Sequence, residues 1–351
     1  MKNVVVLGGG YGGLTVVNEL LEHIPSDVRI CLVDRMSFGS LKTEFYALAA
    51  GTASEAEIRV AFPSHPQLEI IYGEVLDVDF ETRSVHIQNR DPLSYDSLVI
   101  ALGCTDNFHG IPGAYEYSTG VQSLAAARRA YHLIGNTKPY GQVTIVGGGL
   151  SGVEVASELR ESRPDLNIRI LDRSSLMSAF PGKLQEFAKH WFAENHVELR
   201  SQIHINKLEC GVIYNGNEEI LTDVTVWTAG IQPVELVQRM DLPKDKTGRL
   251  IVNEFHELPS QHDVFVIGDC SSQPFSPSGQ LAQAQGHQVA QVINARWNNK
   301  EPRLPRIRLK GTLGSLGKKT GFGLMGSTPI YGRMARLLKS GVLWKSRRHF
   351  G

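Results

Sequence analysis

The sequence predicts an α/β protein of two Rossmann-like units, the first interrupted by the second, with a basic amphipathic tail. Three observations predict it. A short apolar run leading into G-x-G-x-x-G and then a helical pattern occurs twice, at the N-terminus and from Val143 to Glu158. Each unit is followed by another apolar run that ends in an acid, Asp34 in the first and Asp172 in the second. A late run, Asp263 to Cys270, ends in Gly268-Asp269 and returns one more strand to the first unit.

In the first unit, Lys2 to Leu7 is an apolar strand followed by Gly8, Gly10 and Gly13. The following helix carries Leu14, Val17, Leu20 and Leu21 at helical spacing. In such a turn the first glycine bends the chain, the second lets backbone approach a pyrophosphate, and the third lets helix and strand pack closely. The helix N-terminus adds unsatisfied N–H groups and a positive dipole end. The opening MKNVVVLGGGYGGL is too glycine-rich and its apolar run too short for a signal peptide, so it reads as a strand. Val28 to Val33 is the next strand, ending at Asp34. A helical segment at Leu41–Gly51, strands within Ile70–Phe80, Ser84–Ile87 and Asp96–Leu102, and a close backbone approach at Gly103 follow. Asn107 to Gly113 (NFHGIPG) is a Gly/Pro-rich connector and marks a domain crossing.

The second unit opens with a helix over Ser123–Ile134. The strand Val143–Val146 then meets Gly147, Gly149 and Gly152, and Ile168–Leu171 ends at Asp172. A helix over Gly182–Glu194 and strands near Val197–Leu199 and Val224–Trp227 lead to AGIQP, where Gly230 marks the crossing back. Thr247 to Asn253 reads as a turn and strand. Asp269, at a strand's carboxyl end, is placed either to bond a polyol chain or to cap the following turn. Gln280 to Trp297 is a helix with Leu281, Ala284, Val289, Val292 and Ile293 on its apolar side; its GQLAQAQG turn offers amides to a ring or carbonyl ligand, or to solvent. Residues 1–112 and 232–308 thus form one discontinuous domain, 113–231 an inserted one, and 309–351 a C-terminal region.

Composition agrees with a soluble globular chain: 351 residues, 42% hydrophobic and 21% charged. No apolar run approaches the ~20 residues of a spanning helix, which places the protein in the cytoplasm. The four cysteines (Cys31, Cys104, Cys210, Cys270) stand far apart and read as small buried hydrophobes. Their spacing suits neither a redox dithiol nor a zinc site, and no metal ligand set is expected. The formal net charge of zero hides an asymmetry. Twelve Lys and Arg and no acid follow Glu301, which leaves 24 basic against 36 acidic residues up to and including it. That split predicts a basic tail meeting an anionic surface, or a solvated one that aids solubility.

Taken together, these stretches resemble the two-dinucleotide-binding-domain flavoproteins, and within them the type II NADH dehydrogenases. The likeness is carried by FYALAAG (Phe45 to Gly51), YDSLVIALG, NFHGIPG, GGGLSGVE with Glu154, and VWTAGIQP (Val226 to Pro233). It implies FAD in the discontinuous domain, held by Gly8, Gly10, Gly13, Asp34, Gly103 and Asp269. It implies NADH in the inserted one, held by Gly147, Gly149, Gly152, Asp172 and Gly230. Asp172 favours the ribose 2′-hydroxyl over a 2′-phosphate, although Arg173 stands beside it.

Two further motifs follow the resemblance. GQLAQAQG is similar to the family's quinone-side amide motif, with Gln280, Ala282 and Gln285 in register; Gly279 and Ala284 depart from it. LKGTLGSLG resembles a C-terminal segment whose lysine, here Lys310, lies near the glutamate of the second motif, here Glu154. That pairing implies a proton or charge path beside the flavin; the plain alternative for Glu154 is a first-turn helix glutamate favoured by the dipole.

Pro329 to Trp344 reads as a basic amphipathic helix. Tyr331, Met334, Leu337, Leu338, Val342 and Trp344 share one arc, with Arg333, Arg336 and Lys339 opposite, and the polar KSRRHFG end suits lipid headgroups. A helix packed on a partner subunit is the alternative. The expected activity is FAD-dependent NADH:quinone oxidoreduction with a menaquinone-like acceptor, at the cytoplasmic face of the membrane. Two other readings stay open: a soluble reductase of a ferredoxin-type acceptor, and a low-turnover NADH-sensing flavoprotein. The expected partners are NADH, a quinone, an anionic membrane surface and, as one option, a second copy in a homodimer, with no nucleic acid.

Overall fold

A computed structural model describes residues 1–350, with side chains through Trp344. Its largest sheet has six strands in the order Glu257–Leu258, Gln261–Val266, Ser97–Ile100, Lys2–Leu7, Val28–Asp34, Leu68–Tyr72. All neighbours are parallel except the first pair, and Val4 sits between Ile30 and Ser97. The strands are near-continuous apolar runs because both faces are covered. Val4, Val6, Ile30 and Leu32 pack under the helices, and Val5, Leu7, Cys31 and Val33 pack on the opposite layer. N-terminal residues Val4 to Leu7 are almost wholly buried, as a core strand requires.

The inserted unit has its own four-stranded parallel sheet, in the order Val197–Arg200, Asn167–Leu171, Gln142–Val146, Val224–Trp227. The two chain crossings meet. Cys104–Asp106 pairs antiparallel with Ile231–Pro233, so a two-stranded ribbon joins the sheets.

Three local expectations need correction. Thr247 to Asn253 forms no strand: Leu250 is buried through isolated bridges to Lys244 and Ser271, with Gly248 at φ +80 in the turn. Leu41–Gly51 divides into a 3-10 turn, Lys42–Glu44, and a short helix, Phe45–Ala49. The tail helix starts later than its amphipathic pattern, at Arg333. Thr328–Gly332 is instead the third strand of a sheet with Gly311–Leu316 and Thr320–Met325. Gly321 makes the helix packing possible, since a Cβ there would lie 2.7 Å from the Arg336 nitrogen. The side chains of KSRRHFG lie outside those described. No described helix is long and apolar enough to cross a membrane.

Candidate active site

The two glycine turns are near copies. Gly8 and Gly147 take φ +101 and +109, open to glycine and strained for other residues. A Cβ on Gly13 would collide with the Gly8 carbonyl oxygen, and one on Gly152 with that of Gly147. Around Gly10 and Gly149 the opposite holds: an added Cβ would meet nothing within 4 Å. These two residues precede the helices Tyr11–Leu21 and Leu150–Ser162, neither of which has a side-chain cap. Each turn therefore leaves open room over uncapped N–H groups, the cradle a pyrophosphate needs.

The two acids also repeat. Asp34 Oδ2 accepts from Gly9 N at 2.6 Å and Oδ1 from Met36 N at 2.8 Å. Asp172 Oδ2 accepts from Gly148 N at 2.7 Å and Oδ1 from Ser174 N at 2.7 Å. Each carboxylate is thereby held against the middle of its glycine turn, with lone pairs left for ribose hydroxyls. Arg173 is exposed beside Asp172.

The other cleft residues come from strand ends. Gly103 (φ +72) follows Ser97–Ile100, and Gly230 (φ +142) lies against His109, where a Cβ would stand 3.1 Å from Nε2. Asp269 lies inside the 3-10 turn Gly268–Cys270 and caps nothing; the next helix, Gly279–Trp297, is capped by Ser278. Lys42 Nζ is 3.7 Å from Asp269 Oδ2.

The amides of GQLAQAQG divide between cleft and core. Gln285 is wholly buried, its Oε1 taking Gly268 N at 2.8 Å and its Nε2 donating to Ser271 Oγ at 3.1 Å. It builds the turn that presents Asp269. Ala282 packs on Gly268, with 3.5 Å to an added Cβ, and Gln280 Oε1 accepts the backbone N–H of Lys310 at 3.2 Å.

That last contact marks a correction. The Lys310 side chain is exposed and is not the partner of Glu154. Lys339 is. From the tail helix, its Nζ contacts Glu154 Oε1 directly and donates to Tyr46 Oη at 2.8 Å and Ser315 Oγ at 3.0 Å. Ser315 N also donates to Glu154 Oε1 at 3.0 Å. Glu154 and Lys339 are each 6% exposed. Glu154 also stands beyond the first turn of its helix, so the dipole does not account for it. The segment LKGTLGSLG does reach Glu154, through Ser315 and not through its lysine.

Glu44 and Glu158 are buried in the same region. Burial first, and then the like charges of Glu154 and Glu158 against Lys339 and Arg336, raise the Glu44 pKa to about 7. Tyr46 Oη links the groups, donating to Glu44 Oε1 at 3.4 Å. A proton held at neutral pH thus sits one hydroxyl away from the Glu154–Lys339 pair. Sequence reasoning missed Glu44, Tyr46, Ser315 and Lys339; FYALAAG contains Tyr46, but the spacing of the tail only places Lys339 opposite the apolar arc. Three cysteines are buried as expected, whereas Cys210 is exposed. Burial pushes the Cys104 and Cys270 thiols up to about 12, so neither is a thiolate at neutral pH.

Comparison with known proteins agrees with this geometry. The model of the pyridine nucleotide-disulphide oxidoreductase family matches residues 2–296. The chain is 47% identical over 355 residues to the NADH dehydrogenase-like protein YutJ of Bacillus subtilis, covering 100% of both chains. It is 25% identical to a type II NADH:quinone oxidoreductase of Staphylococcus epidermidis, over 96% of this chain and 93% of the relative. Among solved structures, NDH2 of Plasmodium falciparum in complex with NADH superposes with a TM-score of 0.84 at 17% identity, covering 99% and 96%. The sulfide:quinone oxidoreductase of Aquifex aeolicus does so with a TM-score of 0.82 at 22% identity, covering 99% and 92%. FAD and NADH are the cofactors, and two open glycine cradles, each with its carboxylate, fit two dinucleotides. The chain is a pyridine-nucleotide flavoprotein oxidoreductase and belongs to the pyridine nucleotide-disulphide oxidoreductase family.

Proposed function

We propose that this protein is an NADH:quinone oxidoreductase working at a membrane surface, with a menaquinone-like acceptor. One observation carries the reading. The helix that delivers Lys339 to Glu154 turns an apolar arc outward: Met334 and Leu337 are each 67% exposed, and Val342 and Trp344 each 57%. A lipid-facing helix completing a buried charge pair suits an acceptor that arrives through lipid. The names of the relatives above support the same acceptor class.

On this reading Gly8, Gly10, Gly13, Asp34, Gly103 and Asp269 hold FAD, and Gly147, Gly149, Gly152, Asp172 and Gly230 hold NADH. When bound, the flavin supplies the acceptor for the nicotinamide hydride at N5 and the donor of two electrons to the quinone. Glu154 and Lys339 orient one another and hold a proton near that exchange. Glu44 replenishes it through Tyr46, and quinone reduction consumes two protons in all. Gln280 and Ala282 line the acceptor side. The proposed domain limits at 112 and 232 are supported by the ribbon at the crossings, and the one at 308 by the separate sheet that begins at Gly311.

Anaerobic stopped-flow tests the reading. NADH is expected to reduce the flavin rapidly, and a short-chain menaquinone to reoxidise it rapidly. Fast reduction with slow reoxidation by quinone, and fast reoxidation by a small iron–sulfur protein, would replace the acceptor. The departures at Gly279 and Ala284, and the inward use of Gln285, are what keep that soluble reading in view.

A further inference from the structure

The carboxyl edge of the large sheet has a fixed order. Asp34 ends Val28–Asp34, the first glycine turn follows Lys2–Leu7, Gly103 follows Ser97–Ile100, and Asp269 follows Gln261–Val266. FAD laid from Asp34 across the glycine turn to Asp269 directs its flavin end past Asp269, toward the ribbon of Cys104–Asp106 and Ile231–Pro233. Lys42 stands at that place. Its Nζ lies 2.9 Å from Cys104 Sγ, 3.4 Å from the Cys104 carbonyl oxygen and 3.7 Å from Asp269 Oδ2. Above the same strand end, a Cβ on Gly103 would meet nothing within 4 Å, so the cation borders open space.

Lys42 is not accounted for as a surface ion pair. Beside it, Asp106 is 6% exposed, and its Oδ1 has no hydrogen-bond partner among the described residues. Burial raises the Asp106 pKa to about 6 against the nearby backbone N–H groups and the Lys42 charge, so the carboxyl is mostly ionised at neutral pH. Gly120 packs so tightly on it that any larger residue would collide with the carboxylate. Burial alone would lower the Lys42 pKa, but the hydrogen bond to Cys104 and the charges of Asp269 and Asp106 act the other way, and the net shift is upward.

We infer that Lys42 is the cation that tunes the flavin's reduction potential, opposed by the carboxylates of Asp269 and Asp106. A reduced flavin carries more negative charge on its ring than an oxidised one. A fixed ammonium at the edge of the ring therefore stabilises the reduced form, and a fixed carboxylate disfavours it. This role rests on FAD being the cofactor and not on the identity of the acceptor.

The test uses the FAD-loaded full-length chain and reads the flavin midpoint potential and the affinity for sulfite, which adds reversibly at N5 and leaves an anionic ring. Lys42→Met is expected to lower the reduced-to-oxidised equilibrium about tenfold, or about 30 mV for a two-electron couple. Sulfite affinity should fall by a similar factor, with Lys42→Arg near the parent value on both readouts. Asp106→Asn, which keeps the shape, is expected to move both in the opposite direction. Opposite signs from two neighbouring residues are what a purely structural role cannot produce. An unchanged potential in Lys42→Met, or a fall in both variants, would overturn the inference. If Lys42→Met does not retain flavin, the sign of the Asp106→Asn shift decides alone: a rise supports the role, and a fall or no change ends it.

Discussion

Lys339 of the tail helix and Glu154 of the second glycine helix form a buried ion pair across 185 residues of sequence. Tyr46 and Ser315 take the remaining Lys339 protons, at 2.8 and 3.0 Å. Taking two charges out of water is costly, and breaking such a pair is costlier still because one charge is left alone. Lys339→Met is therefore expected to lose about 3–5 kcal/mol of unfolding free energy at pH 7. Adding Glu154→Gln should restore most of it. Urea unfolding of the two single variants and the double variant measures this, and additive losses would show that the pair is not a unit.

The same pair has a kinetic consequence. Glu154→Gln should bind FAD normally and lower turnover roughly a hundredfold, the scale of losing a positioned proton-transfer group. Steady-state kinetics with flavin content checked by absorbance decides it; full turnover in the variant would remove Glu154 from the proton path.

Glu44 makes stability depend on pH in a direction unusual for a carboxylate. Its pKa rises from 4.5 to about 7 on folding, chiefly through burial. Between those values the folded state binds more protons than the unfolded one. Its contribution is therefore fully present below pH 4.5 and is lost as pH rises through about 7. Glutamine mimics the protonated form at every pH. The stability of Glu44→Gln relative to the parent should therefore rise between those limits, by on the order of 3 kcal/mol, and then level off. A pH-independent difference between the two proteins would contradict the assignment.

Asp172 holds two backbone N–H groups, and the proposed reading assigns its free lone pairs to the ribose of NADH. Asp172→Ser with Arg173 left in place should shift the NADPH-to-NADH ratio of kcat/KM upward by roughly ten- to hundredfold, the worth of one or two charge-assisted hydrogen bonds. Flavin reduction rates with each nucleotide measure it directly.

Membrane docking is tested best without touching Lys339. Leu337→Ser with Trp344→Ser should weaken binding to anionic vesicles at least tenfold, since each exposed side chain offers roughly 1.5–3 kcal/mol on burial. Co-sedimentation at low and high salt reads both the apolar and the basic contributions. Unchanged sedimentation at both would argue for a protein partner on this face.

The glycine turns were legible because their signal is local. Gly8 and Gly147 need positive φ within a few residues of strand and helix, and Asp34 and Asp172 follow at the ends of the next strands. The tail was only half legible. Its amphipathic spacing gives the outward arc, but strand Thr328–Gly332 pairs with Thr320–Met325, a tertiary preference that overrides helical periodicity. Lys339 fell on the polar face by pattern, and no rule of spacing says that a basic residue of an amphipathic helix turns inward to a carboxylate.

What the sequence by itself determined is therefore the doubly repeated strand–turn–helix, the acid that follows each one and the dinucleotide class of cofactor, all set by backbone geometry and periodicity within about 30 residues. Only the tertiary structure decided which lysine meets Glu154, that Gln285 serves the core, and that Lys42 stands beside Asp269 and Asp106. Those groups come from distant segments, and their electrostatics exist only once folding removes the water between them.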